Sequence, residues 1–267
     1  MLAALAAVVI IVSFVFWRDA WFGRRLSDRE IGQYLRDDQN PRRIQHALSQ
    51  IADRIVQGDP TVEQWYPRTV ALARHPKSQI RATAAWVMGQ DNKSAEFHKT
   101  LLELLQDSEL MVRRNAALEL VRFGDESGQD EIVKMIKPYT VRASEPGTVS
   151  IHVKPGQAVG TGTLLARITQ DQNRRIEVLS PLPGHVHGTM VQGGSSVKPT
   201  DQLVVIDPEA DQVWEALRGL YLVGKPEDLP EVERYTVEVP DMPDRVRRQA
   251  QLTAEAIRTR AERSPIR

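Results

Sequence analysis

The 267-residue chain contains no cysteine. That absence excludes disulfides, thiol nucleophiles, thiolate zinc sites and iron–sulfur clusters together, and it leaves the redox compartment open. Charge of one sign is also missing. Thirty-five basic residues balance 35 acidic ones, so no global field points to nucleic acid. Catalytic signatures are lacking as well: there is no Gly-x-Ser-x-Gly elbow, no His-Glu-x-x-His and no dinucleotide fingerprint. Gly193-Gly194-Ser195-Ser196 lacks the Gly-Lys-Ser/Thr ending of a phosphate loop and reads as a hairpin turn. The expectation is a protein that is not an enzyme, with no cofactor and no small-molecule substrate.

One long apolar run is present. Residues 2–16 carry no charge and are followed by Trp17, Arg18, Trp21, Phe22, Arg24 and Arg25. A stretch of about 15 to 17 apolar residues flanked by tryptophans is long enough to cross a bilayer core. It has no basic segment before it and no small-x-small cleavage site, so residues 1–25 read as an uncleaved anchor with its flank, held in the membrane through residues 2–17. Arg18, Arg24, Arg25 and Arg29 follow the run and favour a cytoplasmic soluble part, although Asp19, Asp28 and Glu30 are interleaved with them.

Residues 26–138 have helical periodicity. Ile80-Arg81-Ala82-Thr83-Ala84-Ala85 and Val112-Arg113-Arg114-Asn115-Ala116-Ala117 align at an offset of 32 residues, with Leu101, Leu102, Leu104 and Leu105 between them. Paired alanines allow close helix approach, and the arginine early in the second helix can bridge to a neighbouring acidic loop. Trp65, Tyr66 and Trp86 read as packing residues, and the carboxylate pairs Asp37-Asp38 and Glu227-Asp228 as turn and capping groups. This Leu-Leu-x-Leu-Leu, Asp, Val-Arg-Arg-x-Ala-Ala pattern resembles the HEAT repeat family, which implies antiparallel helix pairs stacked in a curved array. The pattern returns at Val246-Arg247-Arg248-Gln249-Ala250, so residues 208–262 read as resumed repeats, with 263–267 as a tail. Residues 129–136 would pair with 212–223 across everything between them.

Residues 139–207 change period. Pro146-Gly147-Thr148-Val149 recurs as Pro183-Gly184-His185-Val186, and Pro155-Gly156 with Val159 and Leu164 is echoed by Gly193-Gly194 with Val197 and Leu203. A duplication of about 37 residues built from short alternating runs predicts two related sets of strands closing into a barrel. An insertion inside a helical hairpin is tolerated because loop-closure entropy grows slowly with length. The segment resembles biotinyl and lipoyl carrier domains and the lipoyl-like domain of membrane fusion (periplasmic adaptor) proteins, with Ser180-Pro181-Leu182-Pro183-Gly184-His185-Val186 as the matching motif. The resemblance implies a barrel-sandwich hybrid fold and a modified lysine eight residues before Pro181, where this chain has Asn173; no lysine occurs in residues 166–180. The carrier role, and with it a transferase component, is therefore disfavoured. His152, His185 and His187 share strand parity and are weak candidates for a metal, although solvent-exposed histidines are the simpler reading.

The expected architecture is a multidomain α and β chain: a transmembrane anchor, a HEAT-like α-solenoid and an inserted all-β barrel-sandwich hybrid. The expected function is a non-catalytic scaffold that assembles or stabilises a larger membrane complex of transport or respiration, with integral membrane subunits as partners. A periplasmic adaptor subunit of an export system is the alternative. The soluble part is expected in the periplasm, as the resemblance implies, with the cytoplasm as the alternative from the basic flank.

Overall fold

The computed structural model describes residues 24–170 and 174–263. Two compact units divide at Phe97 and His98. The helices are α1 (Asp28–Tyr34), α2 (Pro41–Val56), a 3-10 turn (Pro60–Trp65) leading into α3 (Tyr66–Leu72), α4 (Ser78–Met88), α5 (Ala95–Leu104), α6 (Leu110–Arg122) and α7 (Gln129–Met135). Eight strands follow, β1 (Tyr139–Arg142), β2 (Gly147–Ile151), β3 (Ala158–Val159), β4 (Leu164–Thr169), β5 (Arg175–Leu179), β6 (Gly184–Thr189), β7 (Ser196–Val197) and β8 (Gln202–Pro208). Helix α8 (Ala210–Val223), the 3-10 turn Pro226–Asp228, α9 (Leu229–Glu233) and α10 (Asp244–Arg263) complete the fold. The expected anchor, residues 2–17, lies outside the described residues. Among the described residues no helix is long and apolar enough to cross a membrane.

In the first unit, α1 starts at a capping box in which Ser27 accepts from the Glu30 amide and Glu30 reaches back to the Ser27 amide. Its Ile31 and Leu35 are buried along with Ile44, Leu48 and Ile51 of α2, and α2 packs in turn against α4. Ala84 and Ala85 of α4 are fully buried, the close approach that small side chains permit. Tyr66 donates to Asp91 Oδ2 at 3.0 Å and lies against the Phe97 ring at 4.3 Å, closing the end of the unit.

The helices of the second unit pack as α6 on α7, α7 on α8, α6 on α8, and α8 on α10. Their common core holds Ala117, Ile132, Ile136, Val213, Leu217, Leu220, Val246, Ala250 and Ile257. The chain thus leaves the helices after α7, forms all eight strands, and re-enters with α8 beside α7. Strands β1 and β8 are antiparallel neighbours, with Tyr139 opposite Ile206, so the departing and returning segments run side by side.

The strands form two four-stranded sheets ordered β1-β8-β6-β3 and β5-β4-β2-β7. Exchanging β1 with β5, β8 with β4, β6 with β2 and β3 with β7 turns one order into the other, so the sequence duplication is a twofold pseudo-symmetry in space. Hydrogen bonds repeat with it: Ser180 N to Thr163 O at 2.8 Å matches Ala143 N to Asp201 O at 2.8 Å, and Gly156 N to Val186 O matches Gly194 N to Val149 O. Both Pro-Gly glycines are required by close approach. A Cβ on Gly147 would lie 2.6 Å from Thr169 O, and one on Gly184 would lie 2.3 Å from Asp207 O. The expectation of a closed barrel is corrected here. Each sheet keeps two edges, and β1 and β5 flank an open groove of about 390 Å³ in place of pairing. The result is a sandwich around Val149, Leu165, Ile168, Val186, Leu203 and Ile206.

The two copies differ by one residue. Equivalent positions are 37 apart up to Val149 and Val186, and 38 apart from Gly156 and Gly194 onward. The extra residue is taken up by a bulge between Val186 and Gly188 against β8, which leaves His187 unmatched.

Candidate functional site: the seam between sandwich and helices

The place where the sandwich meets its helices is built from the first turn of α6 upward. Leu110 belongs to the sandwich core, and Met111 packs against the same cluster. The amphipathic pattern of α6 turns these two residues toward the sheets while Ala117 and Val121 face the helical core. One helix therefore carries two cores.

Arg114, only 2 % exposed, sits at the centre of the seam. Its Nη1 donates to Gln212 Oε1 of α8 at 3.2 Å, and Gln212 Nε2 donates to the carbonyl of Pro183, immediately before β6, at 3.3 Å. A relay thus runs from α6 through α8 to the duplicated Pro-Gly corner of the sandwich. Arg114 Nη2 points to the Lys134 carbonyl at the end of α7 at 3.5 Å, and its Nε lies 3.8 Å from Glu131 Oε1. Burial pulls the guanidinium pKa down, and Glu131 and Tyr139 oppose that shift. A second tie, Tyr235 Oη to Ile136 O at 2.8 Å, pins the last residues of α7 from below, and burial pushes that phenol up to about 12. Gln129 at the start of α7 donates to the buried Asp228 carboxylate, which also caps Lys225 N at 2.8 Å. These bonds hold one geometry, because any other leaves their groups unsatisfied, while Arg114 Nε and Glu131 Oε1 face each other without a hydrogen bond.

Beside the relay lies a second buried charge. Glu119 of α6 is pushed up to about 7 by burial, with Glu215 of α8 adding to the shift and Arg122 opposing it. Its Oε2 has no hydrogen-bond partner and lies 3.7 Å from Arg122 Nε.

The residues singled out in the sequence do not converge. Asn173 lies outside the described residues. His185 and His187 are exposed on β6, and His152 is exposed just beyond β2, in the opposite sheet. The two outer faces of a sandwich point away from each other, so shared parity does not bring the three imidazoles together. Among the described residues no three metal-ligating groups converge. His187 Nδ1 instead meets Asp207 Oδ2 at 2.9 Å, and Asp207 is also the cross-strand neighbour of His185. Ser150 Oγ lies 3.2 Å from His152 Nε2 with both residues exposed, while His98 Nε2 meets Asp125 at 2.7 Å against the Phe123 ring.

The repeat arginines contact their own loops. Arg81 Nη1 donates to the carbonyls of His75 and Pro76 at 2.9 and 3.2 Å, and Arg113 Nη1 to those of Asp107 and Ser108 at 2.6 and 3.0 Å. Each arginine thus braces the turn that precedes its helix, and Arg113 Nε also lies 3.8 Å from Glu131 Oε2 of α7, an acidic neighbour. Sequence reasoning passed over Arg114, Glu119 and Asp207. For Arg114 a signal was present, because the aligned residue of the preceding repeat is Ala82.

The architecture is a set of antiparallel helix pairs with a pseudo-symmetric β-sandwich inserted in one of them. The family model of HEAT repeats matches residues 66–144, from the start of α3 to just past β1. The matched segment is similar to that family, and the match ends before β2. No curated protein matches the chain.

Proposed function

We propose that this chain is a non-catalytic scaffold, anchored in a membrane by residues 2–17, that assembles or stabilises a larger membrane complex of transport or respiration. The observation that carries the reading is the Arg114–Gln212–Pro183 relay, which fixes the sandwich on the helices and presents two unlike surfaces in one geometry. The HEAT-repeat match over residues 66–144 supports an interaction role for the helices, since such repeats offer extended surfaces rather than reaction centres. We read the sandwich as a lipoyl- or biotinyl-like, barrel-sandwich hybrid domain without its carrier lysine. The exchange symmetry of the two sheets supports that reading, and Asn173 stands at the position of modification. The soluble part is placed in the periplasm, with the cytoplasm as the alternative.

The test is isolation of the full chain from gently solubilised native membranes. Co-purification with integral membrane proteins is the expected result, and recovery as a lone monomer would defeat the scaffold reading. A periplasmic adaptor of an export system is the second reading, favoured by the sandwich. A reporter fusion showing a cytoplasmic carboxy terminus would eliminate it. Intact mass equal to the bare polypeptide would dispose of a transferase carrier.

A further inference from the structure

The charges that begin the first unit alternate in sequence but are unequally paired in space. Residues 24–43 contain six arginines, at 24, 25, 29, 36, 42 and 43, and four acids, at 28, 30, 37 and 38. All four acids are engaged. Glu30 pairs with Arg24 and serves in the capping box, Asp28 takes Arg54 at 2.6 Å, Asp37 takes Arg43 at 2.8 Å, and Asp38 takes Arg68 at 3.4 Å. Two of the four acids are thus neutralised by arginines from outside this stretch. Arg25, Arg29, Arg36 and Arg42 make no ion pair with another described residue, and all four are exposed. Arg29, Gln33 and Arg36 follow at i, i+4 and i+7, opposite the buried Ile31 and Leu35. Arg25 stands two residues before the Ser27 cap, and Arg42 is the second residue of α2.

We infer that the four arginines on and around α1, Arg25, Arg29, Arg36 and Arg42, form a docking surface for anionic phospholipid headgroups. Charge complementarity supports it, because four guanidiniums without an ion pair among the described residues present bidentate donors of the kind that phosphate oxygens accept. Position in the chain selects the membrane as the source of that phosphate: Arg25 stands nine residues after Phe16, where the uncharged run 2–16 ends. The inference rests on the anchor reading of that run. The anchor would hold the chain at the bilayer, and the four arginines would hold the first unit flat against it and make its placement depend on lipid charge and salt.

Full-length protein is added from neutral detergent to vesicles of phosphatidylcholine alone or mixed with phosphatidylglycerol, and co-flotation is measured at low and high salt. At about fivefold per arginine, the four together predict partitioning on the order of several hundredfold stronger into the anionic vesicles at low salt. That preference should vanish at high salt and in the variant R25Q/R29Q/R36Q/R42Q. Equal preference in wild type and variant overturns the inference, as does a preference abolished by free inorganic phosphate but insensitive to vesicle charge. Failure to float with neutral vesicles defeats the anchor and leaves the lipid-charge comparison intact. Where the anchor carries every molecule into neutral vesicles, amide exchange across residues 28–36 is the readout. Slower exchange in anionic vesicles than in neutral ones, absent from the variant, supports the docking surface, and identical exchange refutes it. Because the four side chains are exposed, an unchanged melting temperature serves as the folding control.

Discussion

Glu119 provides the sharpest test of the seam. Its carboxyl belongs to a buried helix face with Oε2 unpartnered, Arg122 on the same helix at 3.7 Å and Glu215 facing it from α8. Burial raises its folded pKa from 4.5 to about 7. Below pH 4.5 the carboxyl is protonated in both folded and unfolded chains and costs nothing. As the pH rises the unfolded chain releases this proton first, so stability falls until the folded carboxyl also ionises near 7. Above that, the full penalty is present. A displacement of about two and a half pKa units corresponds to about 3 kcal/mol. Glu119→Gln keeps the shape and removes the titration, so it should raise stability by about 3 kcal/mol at about pH 8 and change it little at about pH 4. In a unit of this size that is a rise in melting temperature of about 6 to 12 °C at the higher pH. Paired urea titrations of the two proteins across this range measure the difference directly. Carboxylates whose pKa is lowered, such as Asp125 and Glu231, lose their contribution at more acidic pH and do so in both proteins. A wild-type-minus-variant difference that stays constant with pH would refute the buried carboxyl without a hydrogen-bond partner.

Other perturbations probe other parts of the fold. Gly184→Ala should cost about 3 kcal/mol in denaturant unfolding, because its Cβ would meet Asp207 O and the Ile206 side chain on the neighbouring strand, whereas Gly193→Ala enters open space and should be near neutral. Replacing Arg114 by alanine leaves Gln212 Oε1 without its donor and opens a cavity, while Arg113 and Lys134 still face Glu131, so a loss of about 2 to 3 kcal/mol is expected, along with faster amide exchange at the start of β6. Truncating Leu110 to alanine, although it stands on a helix, should destabilise the sandwich by about 2 to 3 kcal/mol, and unchanged exchange in β4 and β8 would contradict its place in that core. Zinc should leave the melting temperature unchanged, since His152 is on the opposite sheet from His185 and His187, and a rise that saturates with metal would overturn that geometry.

The helices were legible because their signals are local. The alanine pairs at 84–85 and 116–117 and the apolar spacing around them report helix packing from a few adjacent letters, and the repeated Pro-Gly reports a backbone crossing that no side chain could occupy. What stayed hidden depends on contacts distant in the chain. Arg114 reads as one more surface arginine until Gln212, 98 residues away, closes over it. Glu119 and Arg122 have the spacing of a solvated surface pair, and only the approach of α8 makes the carboxylate a buried one. Asp207 meets His187 across two strands twenty residues apart. Whether paired sheets close into a barrel is decided by edge strands that alternate in the same way in either case, so the barrel expectation could not be tested against the pattern that suggested it. The bulge at His187 was concealed for a similar reason, because exposed and buried residues alternate without a break from Gly184 to His187.

The pairing of Tyr139 with Ile206 also has a mechanical consequence. A pull applied to the chain on either side of the insertion reaches β1 and β8 at the same end of an antiparallel pair. Such a load opens backbone bonds one at a time, as a zipper, and two strands so loaded resist little. The packed faces of α7 and α8 bridge the same two points and take the tension first. While those helices hold, the sandwich is a side branch that carries no force. Once they part, it is the next element to unravel, beginning at the Tyr139–Ile206 end of the pair.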